Sequence, residues 1–200
     1  MELNLLEQLD VNGHLTISKL YRDGSEEIVF DDHNIIVSGM GVALAHLFAL
    51  SGSNSILDYQ IDRFQIGTSA NAESVSTTML SLPIGVVSSY GLNSNVITAS
   101  GYQIVNNSVV NNSKIYGIIP QHHITRVDAN TVRYTIVLDE FACNNLTDIS
   151  GDANIREVGL FIKNIKNNNP VAPILVAYRV FSPIRKTTDF ALIFRWSINF

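Results

Sequence analysis

From Phe190 to Phe200 the chain alternates, with Phe190, Leu192, Phe194, Trp196, Ile198 and Phe200 on one side and Ala191, Ile193, Arg195, Ser197 and Asn199 on the other. Successive side chains of a strand point to opposite faces, so this pattern predicts a half-buried β-strand with no residue left over for a tail. Similar runs predict strands at His14–Leu20 and Glu26–Val37, joined by the turn Arg22-Asp23-Gly24-Ser25. Others follow at Ile61–Gly67, Pro83–Ser89, Ile115–Val127, Thr131–Asp139, Asn154–Lys163 and Ile174–Phe181. Val127-Asp128-Ala129-Asn130 supplies turn formers for a hairpin, and Lys163–Pro170, rich in Asn, is expected as a solvated hairpin loop.

One stretch breaks the period. Gly41–Leu50 consists largely of good helix formers and Ser51-Gly52-Ser53 stops it, predicting a short helix that is apolar nearly all round. Such a helix needs cover on most sides, from the sheet and from a neighbouring subunit. Many short strands without alternating helices predict a mainly β, antiparallel β-sandwich, jelly-roll-like or a partly closed barrel, with that one helix near the N-terminal third. No repeat or linker divides the chain, so residues 1–200 are expected as one domain, with an excursion around 88–121 where Asn93–Ser113 is most loop-like.

Composition narrows the partners. With 46% hydrophobic and 16% charged residues in 200, the chain has material for a sizeable core. A net charge of −5 and thirteen scattered Lys and Arg give no basic stripe for a phosphate backbone, so no nucleic acid is expected. The first ten residues lack a basic region followed by an apolar run and cleavage site, and no apolar run is long enough to span a membrane; synthesis in a cytoplasm and no membrane partner are expected. The single Cys143 reads as a small core residue.

Candidate chemistry is thin. Ile35-Ile36-Val37-Ser38-Gly39-Met40-Gly41 before a helix imitates a dinucleotide-binding turn, but Leu44 stands where the third glycine belongs and no parallel unit follows; a tight strand-to-helix turn is expected instead. His122 and His123 point to opposite faces if they lie in a strand, and His14, His33 and His46 are isolated, so no metal site is predicted. No serine elbow occurs, and the carboxylates Asp31-Asp32, Asp139-Glu140 and Asp148 to Asp152 are expected at solvated turns. An alternating strand ending in Phe also suits an outer-membrane barrel, which the missing export signal and the apolar helix disfavour. Neither a catalytic set nor a cofactor is expected.

Four segments, in order along the chain, resemble small virion structural proteins of tailed bacteriophages, associated with the neck or collar, tail or baseplate. They are Asp32-His-Asn-Ile-Ile-Val-Ser-Gly-Met-Gly41, Phe64-Gln-Ile-Gly-Thr-Ser-Ala-Asn-Ala with the stretch to Leu80, Arg156-Glu-Val-Gly-Leu-Phe161, and Ala177-Tyr-Arg-Val-Phe-Ser-Pro-Ile-Arg-Lys186 leading to Trp196. The resemblance implies a structural role in the virion without catalysis, with a homo-oligomer contacting portal or adaptor, tail or fibre proteins. Within these segments Arg156-Glu157 are expected at a strand entry, and Pro183 is expected to break the ladder before the last strand. Interface candidates are Val42, Leu44, Leu47 and Phe48 on the helix and Phe194, Trp196 and Phe200 at the end. The alternative is a carbohydrate- or receptor-binding module of a phage tail, using Tyr90, Tyr102 and Tyr116 to stack on sugars.

Overall fold

The computed structural model describes residues 11–49, 59–68, 71–81, 83, 108–111, 114–144, 147–148, 151–152, 154–166 and 169–200. Among these residues the strands are β1 (Asn12–Tyr21), β2 (Glu26–Ile36), β3 (Ile61–Gly67), β4 (Ser108–Asn111), β5 (Lys114–Ile118), β6 (Ile124–Arg126), β7 (Thr131–Leu138), β8 (Thr147–Asp148), β9 (Gly151–Asp152), β10 (Ile155–Lys166), β11 (Asn169–Ile184) and β12 (Phe190–Asn199), with one α-helix, α1 (Gly39–Phe48). Ten strands form a single antiparallel sheet in the order β4-β5-β3-β10-β11-β2-β1-β12-β7-β6, and β8 pairs with β9 apart from it. The sheet curls into a half-barrel.

The join between its halves is β2. Residues Gly13 to Leu20 of β1 pair with Asn34 to Glu26, whereas Ile35 and Ile36, further along the same strand, pair with Tyr178 and Ala177 of β11. The alternating pattern decides what faces inward. Leu192, Phe194, Trp196 and Ile198 of β12 sit between Leu15 and Ile17 of β1 and Tyr134, Ile136 and Leu138 of β7. Across the curl these residues share one core with Phe64 and Ile66 of β3, Val158 and Leu160 of β10 and Val176 of β11. The outer face of this half of the barrel carries polar pairs: Lys19 and Tyr21 meet Glu27, Thr16 meets Asp31, and Arg195 holds Glu26.

The other half is buried on both faces. Val37, Leu80, Tyr116, Phe161, Leu175 and Tyr178 form a second core on its outer side. That explains why β3, β10 and β11 read as apolar runs with weak alternation.

Several expected boundaries move for identifiable reasons. The helix starts at Gly39 and ends at Phe48, two residues earlier than expected at each end, and its cover is one-sided: Met40 and Ala43 are buried while Val42 and Phe48 are exposed. The expected strand 115–127 is interrupted by Pro120, after which Gln121–His123 makes a 3-10 turn before β6. Pro183 does not end β11. Val180 pairs with Glu157 and Ile184 with Ile155, so residues 181–183 bulge opposite Arg156, where a proline removes no ladder bond. The 163–170 loop is tighter than expected, with pairing continuing to Lys166 opposite Asn169. Asp31 and Asp32 lie inside β2 rather than at a turn. Of the expected strand 83–89, Pro83 forms one bridge with Gly67, and the rest lies outside the described residues, as does most of the excursion.

Candidate functional site

Two features stand out from the scaffold, a strap over the outer core and a cavity at the open side of the half-barrel. The strap is the segment 71–81, which crosses the doubly buried half and drives Leu80 into the outer core, 1% exposed. Its anchors come from three distant parts of the chain. Ser38 N–H donates to Val75 O at 2.8 Å. Arg179 donates through Nη1 to Glu73 Oε2 at 3.0 Å and through Nη2 to Asp32, while the backbone N–H of Val180 donates to the other oxygen of Glu73. The Arg179 guanidinium also lies 5.3 Å from the centre of the Phe30 ring.

At the end of the strap sits Glu157, 0% exposed. Its Oε2 accepts from the Tyr178 hydroxyl at 2.7 Å and from the Ser81 N–H at 3.1 Å. Burial, reinforced by the hydrogen bond to Glu157, pushes the Tyr178 phenol well above its ordinary range, so it stays a donor. A glycine makes the room: a Cβ on Gly67 would stand 2.2 Å from Glu157 Oε1. Asp32, Glu73, Glu157, Tyr178 and Arg179 all fall within the four segments singled out in the sequence, and those segments supply the neighbouring strands β3, β10, β11 and β2. Glu157 was expected as a charge at a strand entry, and it lies there, in the third residue of β10, but buried; the signal for its burial is its placement immediately before Val-Gly-Leu-Phe, where the strand is already apolar on both faces.

The cavity has a volume of about 360 Å³. Met40, Ala43, Leu44 and Leu47 of α1 form one wall, Ile61 and Ile162 the base, and Ile124, Val132, Tyr134 and Phe200 the opposite wall. Polar groups are few. The Arg126 guanidinium is fixed by donating to Asp128 O at 2.9 Å and Ala129 O at 2.8 Å, and Tyr59 stacks on His46 with ring centres 5.7 Å apart. Burial raises the Tyr134 phenol far above its ordinary range, leaving it neutral. Nothing in this set is arranged as nucleophile, base and oxyanion donor; the cavity suits apolar contact with one positive contact at its rim.

The expected interface residues divide into three groups. Val42 and Phe48 stand out from α1, 46% and 84% exposed. Leu44, Leu47 and Phe200 line the cavity. Phe194 and Trp196, both 0% exposed, are used up inside the chain and offer no surface to a partner, because the concave face closes over β12 from both sides. Tyr116, expected as a sugar-stacking candidate, is also taken from the surface: it is 4% exposed and packs edge-on against Phe161 at 5.1 Å. Tyr90 and Tyr102 lie outside the described residues.

The remaining candidates resolve physically. Cys143 is wholly buried and its thiol is pushed up to about 12, so it is inert at neutral pH. The glycine turn serves packing: a Cβ on Gly39 would lie 1.9 Å from the carbonyl oxygen of Leu175, so this glycine brings α1 onto β11. His122 and His123 share the 3-10 turn with rings 4.4 Å apart, and no cluster of three metal-ligating side chains occurs among the described residues. No described helix is long and apolar enough to cross a membrane. Compared with known proteins, this chain matches no family model, no curated sequence and no solved structure.

Proposed function

We propose that the protein is a non-catalytic structural subunit of a tailed-phage virion, an oligomer at the neck or collar, or at the tail or baseplate, that anchors other virion proteins or fibres. The observation that carries this reading is the one-sided helix: Val42 and Phe48 project from α1, and Phe48, 84% exposed, is the most exposed large hydrophobic side chain among the described residues. An exposed Phe on a short, otherwise apolar helix is stabilised by cover, and a symmetric assembly supplies it. The four segments that carry the resemblance support it too, since they build one contiguous block of sheet with its polar lock rather than an active centre. In finer terms we read the half-barrel as a partly closed barrel, because one core gathers side chains from both halves of the sheet.

Light scattering on the purified protein, followed by negative-stain imaging, tests the reading. A discrete ring or trimer that dissociates in Phe48→Ser, with an unchanged melting temperature, is the expected result. A monomer at every concentration, together with specific binding on a glycan array, would replace it with the carbohydrate-binding alternative. Burial of Tyr116 weighs against that alternative.

A further inference from the structure

Two polar groups that line the cavity beside α1 keep hydrogen-bonding capacity that the chain does not use. The first is the hydroxyl of Tyr134. This residue is 5% exposed, yet its phenol has no hydrogen-bond partner among the described residues, and burial is the sole cause of its raised pKa. A tyrosine this deep ordinarily finds a partner for its O–H, because a buried donor left unpaired is costly. The second is Arg126. Its Nε and Nη2 donate to Asp128 O and Ala129 O, which fixes the plane of the guanidinium and leaves the Nη1 end of the fork open. Both side chains lie on one face of the sheet: Ile124 pairs with Tyr134 and Arg126 with Val132, so Arg126 and Tyr134 are diagonal neighbours, on the order of 7 to 8 Å apart at the backbone. Arg126 is exposed and Tyr134 buried, so the cation marks the mouth of the cavity and the phenol its depth.

The rest of the lining says what such a pair would hold. Met40, Ala43 and Leu44 of α1 face Ile61 and Ile162, and neither a carboxylate nor a second cation lines the cavity. At about 30 Å³ per water-sized group, a cavity of about 360 Å³ holds roughly twelve non-hydrogen atoms. One guanidinium matches one negative charge, which favours a carboxylate over a phosphate monoester with its charge of about −2. A plain alkyl chain would fill the volume and leave the phenol unpaired, whereas a chain with an oxygen acceptor along it satisfies the donor. We propose that the cavity binds a medium-chain oxo acid, with its carboxylate on Arg126, its alkyl chain against α1 and its ketone oxygen accepting from the Tyr134 hydroxyl.

Methionine NMR with 13C-labelled methyl groups reads the site directly, because Met40 lines the cavity and Met79 lies exposed on the strap. Titrating the full chain with decanoate, and with a set of oxodecanoates that differ only in the position of the ketone, is expected to shift the Met40 signal saturably and leave Met79 in place. At least one oxodecanoate should bind roughly three- to tenfold more tightly than decanoate. In Tyr134→Phe that advantage should vanish while decanoate keeps its affinity; the variant removes a hydroxyl that has no partner in the fold, so its melting temperature is expected to hold. In Arg126→Gln both acids should weaken by roughly three- to tenfold, and decanol, which carries no charge, should not. A Met40 signal that no acid moves overturns the proposal. So does an oxodecanoate advantage that is missing in the parent or that survives in Tyr134→Phe, and acids that keep their affinity in Arg126→Gln overturn the charge pairing.

Discussion

Replacing Glu157 with alanine is expected to release the strap. The side chain is fully buried, and its Oε2 is the acceptor for both the Tyr178 hydroxyl and the Ser81 N–H. Removing it leaves two donors under cover without that partner, each costing about 1 to 3 kcal/mol, so the expected loss is about 2 to 6 kcal/mol. That is a large fraction of the roughly 5 to 15 kcal/mol that holds a typical domain. Glu157→Gln keeps an acceptor of nearly the same shape and is expected to lose only about 1 kcal/mol, and Tyr178→Phe, which removes one donor, about 1 to 3 kcal/mol. Urea unfolding monitored by Trp196 fluorescence gives the three values, and a double-mutant cycle gives their coupling, expected at about 0.5 to 3 kcal/mol. Hydrogen exchange at Leu80 and Ser81 locates the damage in the strap. Two results refute the reasoning: Glu157→Ala within about 0.5 kcal/mol of the parent, the range of ordinary surface changes, or Glu157→Gln as damaging as alanine, which would mean that negative charge rather than acceptor geometry is what matters.

Three further outcomes are expected. Trp196→Ala should cost about 3 to 5 kcal/mol in thermal or urea unfolding; Trp196→Phe should cost less, because the indole N–H it removes has no partner in the core. Gly39→Ala should lower stability by about 1 to 3 kcal/mol, since the clash is with backbone that only a shift of α1 can relieve, whereas Gly41→Ala, with nothing within 4 Å, should leave the melting temperature equal or slightly higher. Asp128 accepts from the N–H groups of Asn130 and Thr131, and these bonds hold its carboxyl below the ordinary 3.8. A depressed folded-state pKa means stability present above pH 3.8 and lost as the pH falls through the lower folded value. The melting-temperature difference between the parent and Asp128→Asn should therefore be full at neutral pH and shrink below about pH 4; a difference that is flat with pH would remove Asp128 from the turn.

What the sequence makes legible follows from how each part of the sheet is buried. Around β12 one face meets the core and the other carries the part-exposed Arg195, Ser197 and Asn199, so the period-two pattern identifies the strand, its inward face and its bounds closely. The turns Arg22 to Ser25 and Val127 to Asn130 are equally plain, because their residue types are demanded by local backbone shape. In β3, β10 and β11 the pattern weakens, because the strap buries the second face, and Glu157 and Gln65 appear as polar residues in apolar runs with no sequence cue to their partners. Both Arg179–Glu73 and Glu157–Ser81 link residues more than seventy positions apart. The cavity is still less legible, since its walls come from α1, β3, β6, β7, β10 and Phe200, none of which carries a motif for it.

The way the sheet ends bears on how the proposed oligomer would be built. Its outermost strands, β4 and β6, have four and three residues, and β6 runs directly from a 3-10 turn into the tight turn before β7. Short edges of this kind present few free backbone groups, which limits strand-to-strand addition and the open-ended aggregation it invites. Interfaces through a helix face do not carry that hazard, because the helix satisfies its own interior backbone bonds and only side chains meet the partner. The exposed apolar side chains of α1, Val42 and Phe48, are held on a helix fixed to the sheet by the close approach of Gly39 to β11. The strap anchors at Ser38 as well, one residue before that helix begins, so the doubly buried half of the sheet and the presented face share one support. Loosening the strap at Glu157 should therefore disturb assembly as well as folding stability, whereas Phe48→Ser should disturb assembly alone.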